Sequence, residues 1–133
     1  MVLYCDSVIL IYWLDQMGPF HLRAENRMQV LQAAGDGIAI SDLTRLECRV
    51  GALKRKDAVA LASFDKFFAR PEVRIVPLTA AVFDRAAHLH ADLGFKTPDA
   101  LHLAAALESG CDRFLTNDSR LSKCSGITIE ILP

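Results

Sequence analysis

The chain has no apolar run long enough to span a bilayer, no paired-cysteine motif and no excess of charge of either sign. The run 8–14 is seven residues long and sits between Asp6 and Asp15, whereas a membrane helix needs about 20. It also lacks a basic leader, so neither a membrane span nor a secretory signal is expected. The four cysteines, Cys5, Cys48, Cys111 and Cys124, form no CxxC pair. Reduced, mostly buried thiols in a cytoplasmic protein are the default for such spacing. A net charge of −1 excludes a generally basic nucleic-acid coat but leaves room for a local basic strip. No repeat, low-complexity tract or linker divides the 133 residues, so one domain over 1–133 is expected. Apolar residues, by contrast, are abundant. They make up 52% of the chain and the mean hydropathy is +0.24, which predicts fully buried strands with apolar surface left over for a partner.

Short β-rich runs alternate with helical patterns, the signature of an α/β fold. The runs predict strands near 2–5, 37–41, 73–78, 112–116 and 127–132, the last alternating as an edge strand does. Helices are predicted over 7–16, 21–34, 42–55, 57–69, 79–93 and 98–109, with Gly94 and Gly110 as plausible stops. Val82, Ala86, Leu89 and Leu93 form the apolar face of one helix. Asp84, Arg85, His88 and Asp92 occupy its other side, so that helix should lie on the surface.

Four acids sit at junctions in this pattern: Asp6, Glu47, Asp99 and Asp118. In an open parallel sheet, ligands bind beyond the carboxyl ends of the strands. Asp6 follows the first strand and Asp118 follows the fourth. The helix after the second strand starts at the same edge and carries Glu47 in its second turn. The helix over 98–109 returns antiparallel to a strand and brings Asp99 back to that edge. Direction alone therefore predicts that all four reach one rim, where clustered carboxylates resist ionising together unless a cation neutralises them.

Each acid also has an ordinary reading. Asp6 suits a helix cap, Asp99 follows Thr97 and Pro98 as a first-turn acid, and Asp118 suits a turn. Glu47 shares a helical face with Leu43, Leu46, Val50 and Leu53, a face expected to point inward. A buried glutamate needs a compensating charge, and no histidine or arginine stands near it on that face. His102, one turn on from Asp99, reads as a packing or hydrogen-bonding residue, since no second histidine ligand accompanies it.

The segments Tyr4-Cys5-Asp6-Ser7, Ile40-Ser41-Asp42-Leu43-Thr44-Arg45-Leu46-Glu47, Thr97-Pro98-Asp99-Ala100-Leu101-His102-Leu103-Ala104 and Phe114-Leu115-Thr116-Asn117-Asp118 resemble a PIN-domain ribonuclease, specifically the VapC type of bacterial toxin. The likeness spans nearly the whole chain. It implies a three-layer α/β/α sandwich with a central, mainly parallel sheet. It also implies a catalytic quartet of Asp6, Glu47, Asp99 and Asp118, supported by the polar residues Ser7, Thr116 and Asn117. Cys5, before the first acid, is a small departure that touches nothing catalytic.

Hard carboxylate oxygens suit Mg²⁺ or Mn²⁺. Asp6, Asp99 and Asp118 are the expected metal ligands, with Glu47 acting through a bound water. The resemblance implies hydrolysis of RNA leaving a 5′-phosphate and a 3′-hydroxyl, a homodimer, and a VapB-like antitoxin whose tail fills the acidic groove. Lys54 and Arg120 are candidate phosphate contacts. Arg45, Arg49 and Lys56 read as solvated surface, and Tyr12 or Trp13 could stack a base, though such rings usually belong to the core. Competing readings are a catalytically silent PIN-like binding domain and a receiver-like signalling domain. The third strand holds no phospho-acceptor acid, which weighs against the second. An Asp-x-Asp phosphatase of the haloacid dehalogenase type is disfavoured by Asp6-Ser7-Val8.

Overall fold

The computed structural model describes every residue except Met17. Its strands are β1 (Val2–Cys5), β2 (Gly37–Ser41), β3 (Val73–Val76), β4 (Arg113–Thr116) and β5 (Thr128–Ile131), joined side by side in the order β3-β2-β1-β4-β5. Every pairing is parallel. The chain builds outward from β1 through β2 to β3, then crosses back and builds the other way through β4 to β5. The order therefore reverses between β1 and β4, where a crevice opens at the carboxyl ends of the strands. The expected sandwich is present, and β5 is an edge strand.

Helices cover both faces. On one side lie α1 (Ser7–Leu14), α2 (His21–Ala33), α3 (Asp42–Lys54) and α4 (Ala58–Phe68). On the other lie α5 (Ala80–Leu93) and α6 (Thr97–Glu108). The alternation of β1 divides the two cores: Leu3 and Cys5 join the first, Tyr4 the second. Phe64, Phe67 and Phe68 of α4 pack in the first core, with Trp13 edge-on to Phe67. All four cysteines are free and buried, and burial pushes the Cys5 thiol up to about 12. No helix among the described residues is long and apolar enough to cross a membrane.

Local chemistry explains the element ends. The strand expected over 73–78 stops at Val76, because Pro77 has no N–H to give the ladder. Helix α5 ends where Gly94 adopts φ +74° and returns its N–H to His90. Helix α3 starts on a reciprocal cap, in which Ser41 accepts the Thr44 N–H and Thr44 Oγ1 accepts the Ser41 N–H at 3.2 Å.

The orientation of α3 overturns one expectation. Leu46 and Leu53 are 58% and 54% exposed, and Val50 is exposed with them, while Leu43 is half-buried. The buried stripe is Thr44, Cys48 and Ala52. These small side chains recur every four residues and let α3 pack closely on α1 and α4. The larger side chains are turned out as an apolar ridge.

Candidate active site

The first acid is placed by the sheet. Cys5 of β1 lies in register with Leu115 of β4, and the Asp6 N–H donates to the Leu115 carbonyl at 2.9 Å. Asp6 therefore leaves β1 beside the end of β4. Thr116 Oγ1 donates to Asp6 Oδ2 at 2.7 Å, and the Ser7 N–H donates to Asp6 Oδ1 at 2.9 Å. Asp6 is thus the cap of α1 as well as a groove residue.

Thr116 also accepts the Asp118 N–H at 3.1 Å, so one buried hydroxyl ties the two acids at the ends of β1 and β4. Asp118 caps a short 3₁₀ turn (Ser119–Lys123) through the Arg120 N–H. Asp99 lies in the first turn of α6, which starts at Thr97 with Pro98 following. Glu47 comes from α3. All four carboxylates line one groove of about 630 Å³, together with Ser7 and Asn117. Val8, Ile11, Tyr12, Leu46 and Val50 form its apolar wall. The Asn117 amide donates to the Tyr12 hydroxyl at 3.3 Å and fixes that corner.

The electrostatics differ from acid to acid. Burial pushes Asp6 up from its ordinary range, against the opposing pull of His102, the Thr116 hydroxyl and the Ser7 amide. Burial also raises Asp99, and the neighbouring charges of Asp6 and Asp118 raise it further. Glu47 feels the same burial penalty, but the His102 ring and the Ser7 hydroxyl outweigh it and hold its carboxyl below the usual range. Asp118 is held low chiefly by its hydrogen bond to Arg120.

His102 is the residue whose part the sequence did not disclose. Its Nε2 contacts Glu47 Oε1, and its Nδ1 lies 2.7 Å from the Tyr4 hydroxyl. The missing partner for Glu47 is therefore supplied from α6, on the opposite face of the sheet. The available signal was the spacing of His102 three residues after Asp99, which puts both on one side of α6.

The donor set suits a hard divalent cation. It consists of carboxylate oxygens, and two of them are raised by burial and, for Asp99, by like charge that a cation would relieve. Among the described residues, no three histidine, cysteine or acidic side chains form a ready-made cage. The site fits an ion held by one or two carboxylates that keeps several waters, as Mg²⁺ does. Of the basic candidates, Arg120 reaches Asp118 at the groove edge. Lys54 is exposed and does not line the groove.

The family model of the PIN domain matches residues 3–127. The solved structures to which the chain is similar include the following three. VapBC2 of Rickettsia felis, bound to a DNA fragment from its promoter, is 19% identical over all of both chains with a TM-score of 0.81. A toxin–antitoxin complex of Klebsiella pneumoniae is 25% identical over 96% of each chain, with a TM-score of 0.70. The sarcin–ricin loop-cleaving toxin VapC20 of Mycobacterium tuberculosis is 17% identical over 98% of this chain and 99% of that one, with a TM-score of 0.79. No curated protein sequence matches significantly.

Proposed function

The chain belongs to the PIN-domain family, and on that premise we propose that it is a Mg²⁺- or Mn²⁺-dependent endoribonuclease acting as the toxin of a toxin–antitoxin pair. The observation that carries this reading is the convergence of Asp6, Glu47, Asp99 and Asp118 on one groove at the carboxyl ends of β1 and β4.

Asp6 and Asp99 would be the principal ligands, with Asp118 completing the site and Glu47 acting through a water. When bound, the ion supplies an activated water and offsets charge building on the phosphodiester. The chain's own residues do the rest. Glu47, which lines the groove, would accept a proton on Oε2, the oxygen that Ser7 and His102 leave open. Thr116 and Ser7 hold Asp6 in one rotamer. Arg120 offers a guanidinium at the rim for a backbone phosphate. The apolar wall with Tyr12 gives an unstacked base a surface to lie on.

Partners follow from the same groove. The exposed ridge of Leu46, Val50 and Leu53 continues from its apolar wall. An antitoxin segment with an apolar face and a basic side chain would cover the ridge and neutralise the acids. A second copy of this chain is the other expected partner, which sedimentation velocity would detect as a dimer.

The test is cleavage of end-labelled single-stranded RNA by purified protein with Mn²⁺. Wild type should cut to 5′-phosphate and 3′-hydroxyl ends, and EDTA or Asp6→Asn should abolish cutting. An inert wild type would leave a silent binding domain as the better description. Cutting that survives Asp6→Asn with chelator present would sink the metal site. Expression without the antitoxin should arrest growth, and normal growth with confirmed soluble protein would remove the toxin role.

A further inference from the structure

Glu47 has one occupied and one open oxygen. Ser7 Oγ donates to Oε1 at 2.8 Å, and His102 Nε2 meets the same atom. Among the described residues, nothing donates to Oε2, and the side chain lines the groove. A carboxylate oxygen can only accept, so Nε2 carries a proton.

The far side of the ring is held as firmly. His102 is 1% exposed, and its Nδ1 meets the Tyr4 hydroxyl, which lies 2.9 Å from Ser41 Oγ. Tyr4 is itself fixed by stacking on Phe114 at a centroid distance of 5.4 Å and by an edge contact with the His102 ring. Ser41 is the cap of α3, the helix that carries Glu47. The contacts form a closed circuit: from the start of α3 through Tyr4 of β1 and His102 of α6, back to the Glu47 carboxylate. A group gripped on both sides has little rotamer freedom, and pinning one carboxylate oxygen sets the direction of the other.

We infer that His102 is a positioning residue for Glu47: its Nε2–H fixes Oε1 so that Oε2 faces the groove where the attacking water must sit. Tyr4 and Ser41 hold the ring for that purpose. The inference rests on the ribonuclease reading above, but the contact itself can be tested without turnover. A histidine that only filled the core would affect stability, and its loss would not be coupled to Glu47.

The first arm uses metal-free protein with nitrogen-15-labelled histidine. The His102 Nε2 proton should give a downfield, exchange-protected resonance that moves upfield in Glu47→Gln. The second arm is cleavage of end-labelled, mixed-sequence single-stranded RNA with Mn²⁺. His102→Ala should lower kcat about 10–100-fold with KM within about twofold. His102→Gln, whose amide can donate from near the Nε2 position, should recover most of that loss, and Tyr4→Phe should show a smaller loss. In a Glu47→Gln background, His102→Ala should cost nothing further. Thermal melts identify any variant that fails to fold; if the substitutions at His102 do so, Tyr4→Phe and the resonance decide in their place. The role is overturned if the resonance ignores Glu47→Gln, if His102→Gln folds yet is no better than His102→Ala, or if the His102 and Glu47 effects simply add. A wild type that cuts no RNA would sink the ribonuclease reading, and the resonance alone would then decide whether His102 holds Glu47.

Discussion

Arg120 grips Asp118 with both arms of its guanidinium, Nε 2.9 Å from Oδ1 and Nη2 2.6 Å from Oδ2. The two residues are neighbours in one short turn, so the fork forms without help from the rest of the fold. It places a cation at the edge of an acidic groove and engages both oxygens of the carboxylate proposed to complete the metal site.

Replacing Arg120 with alanine should therefore move two affinities in opposite directions. Mn²⁺ should bind more tightly because Asp118 is released. RNA should bind more weakly, and the slope of log affinity against log salt should fall by about 0.7, as for one phosphate contact on a single strand. Calorimetry for the metal and a filter-binding salt series for RNA check both. An unchanged salt slope would remove Arg120 from the RNA contact.

Asp99 is raised above its ordinary value of 3.8 by burial and by the charges of Asp6 and Asp118. A carboxyl raised on folding disfavours the folded state once it ionises, so its cost is absent at low pH and present at neutral pH. Asp99→Asn should melt higher than wild type at pH 7 without metal. Added Mn²⁺ should raise the wild-type melting temperature and leave the variant almost unmoved. Differential scanning calorimetry reads both, and a metal-free variant that melts lower would contradict the repulsion argument.

Leu53 stands on the exposed ridge of α3 but outside the groove. Leu53→Glu should change the melting temperature by about a degree or less, because the side chain is already largely in water. Affinity for the proposed antitoxin should fall by roughly tenfold or more, as for an apolar anchor lost from an interface. A pull-down titration measures it, and full affinity would move the docking surface elsewhere.

Glu130 of β5 is held below its ordinary 4.5 first by its hydrogen bond to Arg27, then by Arg113. Arg27 Nη2 lies 2.9 Å from Oε1 and Arg113 Nη1 lies 3.2 Å from it, so one carboxylate joins α2, β4 and β5. A depressed carboxyl contributes stability that is full above 4.5 and lost as pH falls through its lower folded value. Glu130→Gln should cost about 1 kcal/mol at neutral pH, allowing for solvent screening. The gap from wild type should close as pH drops below that value. Urea midpoints across the range test it, and a gap independent of pH would assign the loss to packing.

Much of this molecule is legible along the chain. Asp6, Asp99 and Asp118 can be located because each sits at the end of an element whose apolar period is local, and parallel strand direction then carries them to one edge. Boundaries also follow local chemistry, as Pro77 and Gly94 show. The rotation of α3 is not legible in the same way. Two stripes run along that helix, and periodicity favours the one with leucine and valine. Close packing selects the small residues Thr44, Cys48 and Ala52 instead, because the helix can approach its neighbours only on a face without bulk.

The order of elements, the rim and the arrival of its four acids there are thus set by local pattern and strand direction. The partner of Glu47 is not. His102 lies 55 positions away, on a helix against the opposite face of the sheet, and no periodicity links the two. Only folding brings them into contact, since a half-buried carboxylate must find its donor in space and that donor is fixed by long-range packing.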